Sequence, residues 1–240
     1  MQNELTDRDH WAKYWSNYKY KKIPSKTVYD QYVPTLKGNS FIEIGGFPGI
    51  NAAYFYINVC KDVTLLDFYI EKSIVTKFEE INAIPEGSIK CIESDFFLFE
   101  SDRKYDIVFS LGFVEHFENV QDVIHRHIRL LSENGRLLII LPNLRGLNGF
   151  IQWLFDRKNL HSHNLESMKV EKLKKIMEQT GLKSWSVEYT RKPMVWLEPK
   201  PGMINCIGRK LIKLFSYFIK LFPIKGRLLS PYIIISAQRS

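Results

Sequence analysis

Residues 39–49 read Asn39-Ser40-Phe41-Ile42-Glu43-Ile44-Gly45-Gly46-Phe47-Pro48-Gly49. A short apolar run ends in a glycine-rich turn, as a buried strand does before a helix. A helix is expected next, over 51–59. The alternation continues on the C-terminal side. Strands are expected at 63–66, 88–92, 105–110, 135–141, 184–190 and 231–237, and helices at 70–81, 120–131, 146–155 and 169–180. On the N-terminal side, 4–20 and 26–37 read as helices, the first rich in aromatics (Trp11, Tyr14, Trp15, Tyr18). Short apolar strands separated by helices predict an α/β fold, a parallel sheet covered on both faces.

Ligands of such sheets sit beyond the carboxyl ends of the strands. The first strand ends in Glu43-Ile44-Gly45-Gly46, with Gly49 closing the loop. Glycines there let the backbone approach a ligand and aim a helix N-terminus at it. Asp67 and Phe68 follow the second strand, Asp95 and Phe96 the third, Ser110 and Leu111 the fourth. A carboxylate about 20 residues beyond a glycine loop is placed to accept both hydroxyls of a ribose. An acid beside an aromatic can take an adenine amino group and cover its ring. Each Asp alone could be a helix cap or turn former; the set at successive strand ends points to an adenosine cofactor. Phe47 and Pro48 fill the turn where a pyrophosphate needs small residues and free N–H groups, and Pro48 has none to donate. A phosphate-free cofactor suits the loop better.

These segments resemble the class I S-adenosylmethionine-dependent methyltransferases, in particular the broad small-molecule type 11/12 group. The resemblance covers about residues 38–190 and a last strand at 231–237. Glu43, Gly45 and Gly49 match the family's acid-x-Gly-x-Gly-x-Gly loop, with Phe47 in place of the middle glycine and Gly46 extra. Asp67 matches the ribose-binding acid, and Asp95 with Phe96 the adenine site. Tyr105–Val108 with Ser110 and Leu111 matches the fourth-strand motif that lines the methionine end. Residues 131–137 match the entry to the fifth strand. The resemblance implies a Rossmann-like, doubly wound, seven-stranded and mostly parallel sheet with an antiparallel last strand. It implies S-adenosyl-L-methionine as cofactor and Glu43, Gly45, Gly46, Gly49, Asp67, Phe68, Asp95, Phe96, Ser110 and Leu111 around it.

A sulfonium methyl is already activated, so the protein's main task is to hold an acceptor in line and exclude water. A base helps when the acceptor is a hydroxyl. His116, beyond the fourth strand, is the candidate; a packing histidine is the alternative. His161 and His163 lie in a segment expected to be a loop. His125 and His127, two apart on a helix, share no face and make a poor metal pair. The place after the fourth strand reads Ser110-Leu111-Gly112-Phe113, not the Asn/Asp-Pro-Pro-aromatic motif of base amino-methylating enzymes. No cysteine lies near it for attack on a pyrimidine. A small-molecule, sugar or lipid-linked acceptor therefore fits better than a nucleobase, with oxygen the expected target.

The chain has 240 residues with 45% hydrophobic content, ample for a core, and three scattered cysteines without a CxxC pair. That usage, and the absence of a basic-then-apolar leader, point to a cytoplasmic protein. The net charge of +8 is local. Lys200, Arg209, Lys210, Lys213, Lys220, Lys225, Arg227 and Arg239 follow residue 199 with no Asp or Glu among them, and the rest of the chain is balanced. Ile204, Ile207, Leu211, Leu214, Phe215, Phe218, Leu221 and Phe222 fall at helical spacing in the same stretch. Bulky apolar residues beside lysines suggest an interfacial helix, with membrane-surface contact through 203–225 on the inner face of the membrane. The alternative is an insert that packs on the core or forms a homodimer; the apolar face argues against a nucleic-acid patch.

The expected organisation is an N-terminal helical lid over 1–37, a cofactor-binding core over 38–199, a basic amphipathic helical insert over 200–229 and a final core strand over 230–240. Two other readings stay open: an inactive cofactor-binding partner subunit, and a nicotinamide-dependent oxidoreductase.

Overall fold

The computed structural model describes Trp15, Tyr20 and residues 22–239 except 191, 199, 201 and 223. Seven strands form one sheet: β1 (Ser40–Ile44), β2 (Asp62–Asp67), β3 (Ile89–Glu93), β4 (Tyr105–Leu111), β5 (Leu131–Pro142), β6 (Ser184–Tyr189) and β7 (Tyr232–Gln238). Their order is β3-β2-β1-β4-β5-β7-β6. All run parallel except β7, which is antiparallel to both neighbours. This is the expected doubly wound sheet with a reversed last strand.

The helices are α1 (Ile50–Asn58), α2 (Lys72–Ile81), α3 (Val120–Arg129), α4 (Leu147–Phe155), α5 (Arg157–His161), α6 (Val170–Glu178) and α7 (Met203–Ile219). Because side chains alternate along a strand, each strand feeds two cores. Phe41, Val63, Leu65, Ile107, Phe109, Leu138 and Ile140 pack under α1 and α2. Ile42, Ile44, Val108, Leu137, Ile139, Leu141 and Ile235 pack under α3 and α6. The first core is aromatic at its centre: the Phe41 and Phe55 rings stack at 4.1 Å, and Tyr29 sits edge-on to Phe109 at 5.1 Å.

Two expectations need correction. The helix over 26–37 is instead a run of turns with one 3-10 turn at Val33–Thr35. Pro34 explains this, since it lacks an N–H and disfavours helical backbone at the residue before it. Fully buried Tyr29 anchors the segment, its hydroxyl donating to Asn51 Oδ1 at 2.9 Å. The segment before α6 is not a plain loop: it folds as α5, capped by Asp156, and a 3-10 turn capped by Asn164. Of the expected helix over 4–20, only Trp15 and Tyr20 lie among the described residues.

The insert between β6 and β7 carries α7. Gly208, Ile212, Ser216 and Ile219 are buried, and Ile212 and Ile219 pack with Val195, Leu197 and Ile151 of α4. The Ser216 hydroxyl accepts from the Val195 N–H at 3.2 Å. The apolar face read from the sequence is a different one. Ile207, Leu211, Leu214, Phe215, Phe218, Leu221 and Phe222 are exposed.

Candidate functional site

The glycine loop is held by acids from two directions. Glu43, fully buried at the end of β1, accepts from the Ala52 N–H and from Asn51 Nδ2, both at 2.7 Å. It thus ties the strand end to the first turn of α1, where the helix dipole favours an anion. Burial nevertheless pushes its carboxyl up to about 8. Asp67, at the end of β2, accepts from the Phe47 N–H at 2.9 Å and from the Tyr69 N–H at 3.3 Å. Burial raises it to about 6, against the backbone N–H groups of Phe47, Tyr69 and Phe68.

Two glycines are required by what surrounds them. Gly45 has φ +67°, and a Cβ there would stand 2.0 Å from the Phe113 ring. A Cβ on Gly46 would meet Glu43 Cδ at 2.0 Å. Gly46, extra to the expected loop pattern, therefore leaves room for the Glu43 carboxyl. Phe47 is buried, edge-on to Trp15 at 5.5 Å and to Tyr69 at 5.6 Å. Trp15 of the aromatic leading segment thus touches this loop.

The other strand ends converge on the same edge. The Asp67 carbonyl accepts from the Ser94 N–H at 2.9 Å, setting Asp95 beside it. Asp95 Oδ1 accepts from the Phe97 N–H at 2.8 Å. Phe96 is buried and meets Phe113 edge-on at 5.4 Å. Phe68, Leu111 and Asp95 are half-buried. The sequence-read residues therefore lie at or just beyond the carboxyl ends of β1–β4, with two differences of detail. Both Glu43 oxygens are used within the loop. The Ser110 side chain is fully buried, its hydroxyl 3.1 Å from His127 Nε2.

His127 was legible only as part of a stripe. Val120, Val123, Ile124 and His127 fall on one buried face of α3. Its Nδ1–H donates to the Val123 carbonyl at 2.7 Å, and burial holds its pKa down at about 4. His125, on another face, has a buried Nε2 without a partner among the described residues.

Beyond β4, Glu115, His116 and His163 come together. One ligand-type atom from each lies within 4.8 Å of the others. Glu115 is buried, its Oε2 lacks a hydrogen bond among the described residues, and burial raises its carboxyl to about 8. His116 Nδ1 is 3.3 Å from the Ser162 carbonyl, and its ring lies 4.9 Å from that of His163. The Asn164 N–H donates to the Glu115 carbonyl at 2.7 Å, and Asn164 Nδ2 to the Phe117 carbonyl at 2.8 Å, clamping the two segments. Sequence reading singled out His116 and His163 separately but not Glu115, because 48 positions of chain separate Glu115 from His163.

The known methyltransferase domain family matches residues 14–187. No curated protein matches the chain in sequence. Among solved structures, the fold is similar to a SAM-dependent methyltransferase from Archaeoglobus fulgidus, with TM-score 0.55, 19% identity, and coverage of 88% of this chain and 91% of that one. It is similar to Haemonchus contortus phosphoethanolamine N-methyltransferase 2 bound to phosphomonomethylethanolamine and S-adenosylhomocysteine, with TM-score 0.61, 15% identity, and coverage of 88% and 51%. It is also similar to the plantazolicin methyltransferase BpumL bound to S-adenosylhomocysteine, with TM-score 0.55, 14% identity, and coverage of 89% and 81%. Matched to the methyltransferase domain over most of its length, the chain belongs to the S-adenosylmethionine-dependent methyltransferases.

Proposed function

We propose that the edge at the carboxyl ends of β1–β4 binds S-adenosylmethionine and that the enzyme methylates an oxygen of a small-molecule or lipid-linked acceptor at a membrane surface. The residues present fit the cofactor. Asp67, held by backbone N–H groups, keeps acceptor capacity for ribose hydroxyls. Asp95 Oδ1 caps the Phe97 N–H, and its Oδ2 has no hydrogen bond among the described residues, which leaves it for an adenine amino group. Phe96 and Phe113 supply apolar cover. Glu43 acts as a brace for the loop rather than a contact. When bound, the cofactor supplies an activated methyl group; the chain's residues orient it and exclude water. Trp15 against Phe47 supports a covering role for the leading segment.

The observation that carries the acceptor reading is the unpartnered face of α7. Met203, Ile207, Leu211, Leu214, Phe218 and Leu221 form an exposed arc. Arg209, Lys213 and Lys220 fall on the neighbouring arc of the same helix and Lys210 at its border. Phe150, Trp153, Leu154 and Phe155 of α4 are exposed as well. A bulky apolar stripe flanked by cations suits an anionic lipid surface, with lysine stems reaching from apolar depth to headgroups. No described helix is long and apolar enough to cross a membrane. The insert leaves the sheet after Tyr189 and returns at Tyr232, opposite Pro142 at the end of β5. That is the edge that carries Asp67 and Asp95, which favours delivery of an acceptor from the surface to the methyl group.

The test of the cofactor site is calorimetric titration of S-adenosylhomocysteine into wild type and Asp67→Ala. We expect binding, weakened at least tenfold in the variant, which corresponds to about 1.4 kcal/mol. No binding to wild type, or an unaffected variant, overturns the assignment. Binding without methyl transfer to any acceptor would favour the inactive partner subunit. Binding of NAD in place of S-adenosylhomocysteine would favour the oxidoreductase.

A further inference from the structure

We propose that Glu115, His116 and His163 form a binding site for one divalent transition-metal ion of the zinc class, at the mouth beyond β4. Three observations carry it independently of the cofactor site.

The first is the donor set. Two imidazoles and a carboxylate are the ligands with which proteins hold zinc when a coordination position is kept open. Here one donor atom of each lies within 4.8 Å of the other two, so a contraction of at most about 1.5 Å brings them to the roughly 3.3 Å edges of a tetrahedron with 2.0–2.1 Å metal bonds. The second is the orphaned oxygen. Glu115 is 1% exposed, and its Oε2 has no hydrogen-bond partner among the described residues. A buried carboxylate oxygen left unsatisfied is costly, and an ion among the three side chains removes that cost.

The third is the orientation of the rings. A carbonyl oxygen only accepts, so a ring nitrogen facing one carries the proton. His163 Nδ1 faces the Asn159 carbonyl at 2.6 Å, and His116 Nδ1 the Ser162 carbonyl at 3.3 Å. Both tautomers then place the ligating lone pair on Nε2. Metal-binding histidines are fixed this way, by a hydrogen bond from the other nitrogen to a backbone carbonyl or carboxylate. Asn164 clamps the 162–168 segment to Glu115 and Phe117, so the site is assembled without the ion.

His116 is then a ligand rather than the candidate base or packing histidine read from the sequence. The positions left open on the ion suit an oxygen donor such as an acceptor hydroxyl, whose proton a zinc-class ion makes more acidic. That use rests on the proposed methyl transfer; the metal site itself does not.

The test uses the full chain, free of any tag and stripped with chelator, without cofactor or acceptor. Zn²⁺ is titrated calorimetrically, and Co²⁺ is followed by its visible absorption. We expect one ion per chain with micromolar or tighter affinity, weakened at least tenfold in Glu115→Gln and in His163→Ala. S-adenosylhomocysteine titration and thermal melts establish that the variants are folded. No uptake by wild type, or wild-type affinity in both folded variants, overturns the proposal. If a variant does not fold, the histidine ring NMR signals of wild type decide. Two of the six histidines shifting on addition of Zn²⁺ supports the site; any other number overturns it.

Discussion

His127 and Ser110 are locked together beneath the site: the Ser110 hydroxyl lies 3.1 Å from His127 Nε2, while His127 Nδ1–H donates to Val123. A carbonyl partner fixes Nδ1 as the donor, so Nε2 accepts and the ring is neutral. Its folded pKa is about 4, against 6.5 for an unperturbed histidine. The depressed value means that the unfolded chain binds the extra proton first. Stability from this group is complete above pH 6.5 and is lost as pH falls from 6.5 to 4, at up to about 1.4 kcal/mol per pH unit. Buried acids with raised pKa values, such as Glu43, slope the other way, so the reading is a difference. Urea unfolding of wild type and His127→Gln at pH 7 and pH 5 should give the wild type the greater loss on acidification. Equal losses would contradict the buried neutral ring.

Asp67 gives a pH dependence of opposite origin. Its carboxyl titrates at about 6, and only the ionised form accepts hydroxyl donors freely. Affinity for S-adenosylhomocysteine should be constant well above pH 6 and fall by up to tenfold per unit below it. Asp67→Asn should bind more weakly at pH 7.5 and lose this pH dependence. A wild-type affinity that stays flat from pH 7.5 to 5 would remove Asp67 from the cofactor contacts.

Gly46→Ala tests the brace. The added methyl would meet Glu43 Cδ at 2.0 Å, and Glu43 cannot move without releasing Asn51 and Ala52. Overpacking of this kind costs roughly 1–3 kcal/mol. The variant should melt several degrees lower and bind S-adenosylhomocysteine at least tenfold more weakly. Wild-type melting and binding together would mean that the loop accommodates a side chain.

Vesicle sedimentation tests the α7 face. Phosphatidylglycerol vesicles should retain the protein at low salt and release it as salt rises, because the basic contribution is screened. Leu214→Glu with Phe218→Glu should lower retention at least tenfold while leaving S-adenosylhomocysteine binding unchanged. Gel filtration of the same variants reads the competing outcome: a wild-type dimer that the substitutions dissociate, with no vesicle binding, would make the face a contact between two copies.

Most of the sheet was legible because buried parallel strands read as short apolar runs, and α6 because Val170, Leu173, Ile176 and Met177 repeat at helical spacing. The segment 26–37 misled because it is apolar enough for a helix while Pro34 breaks one. On α7 the exposed stripe was legible but the packed one was not. The bulky stripe dominates the periodicity, yet a narrower one built on Gly208, Ile212, Ser216 and Ile219 is what packs. Small and polar residues that permit close approach carry little hydrophobic signal. The acids at the strand ends were found because topology fixes where strands end. Glu115 with His163 was not, since nothing local links two segments that meet only through the folded chain.

Antiparallel neighbours need no more than a two-residue turn between them, yet residues 190–231 separate β6 from β7. The ladder from Ser184 against Gln238 to Tyr189 against Ile233 closes that hairpin. Lengthening such a closure adds only about 0.6 kcal/mol per doubling. The ladder is thus largely indifferent to how long that connection is. The segment between Tyr189 and Tyr232 can therefore change in length at small cost to the sheet, provided that it still brings the Arg227 and Ser230 carbonyls to Asn143 Nδ2.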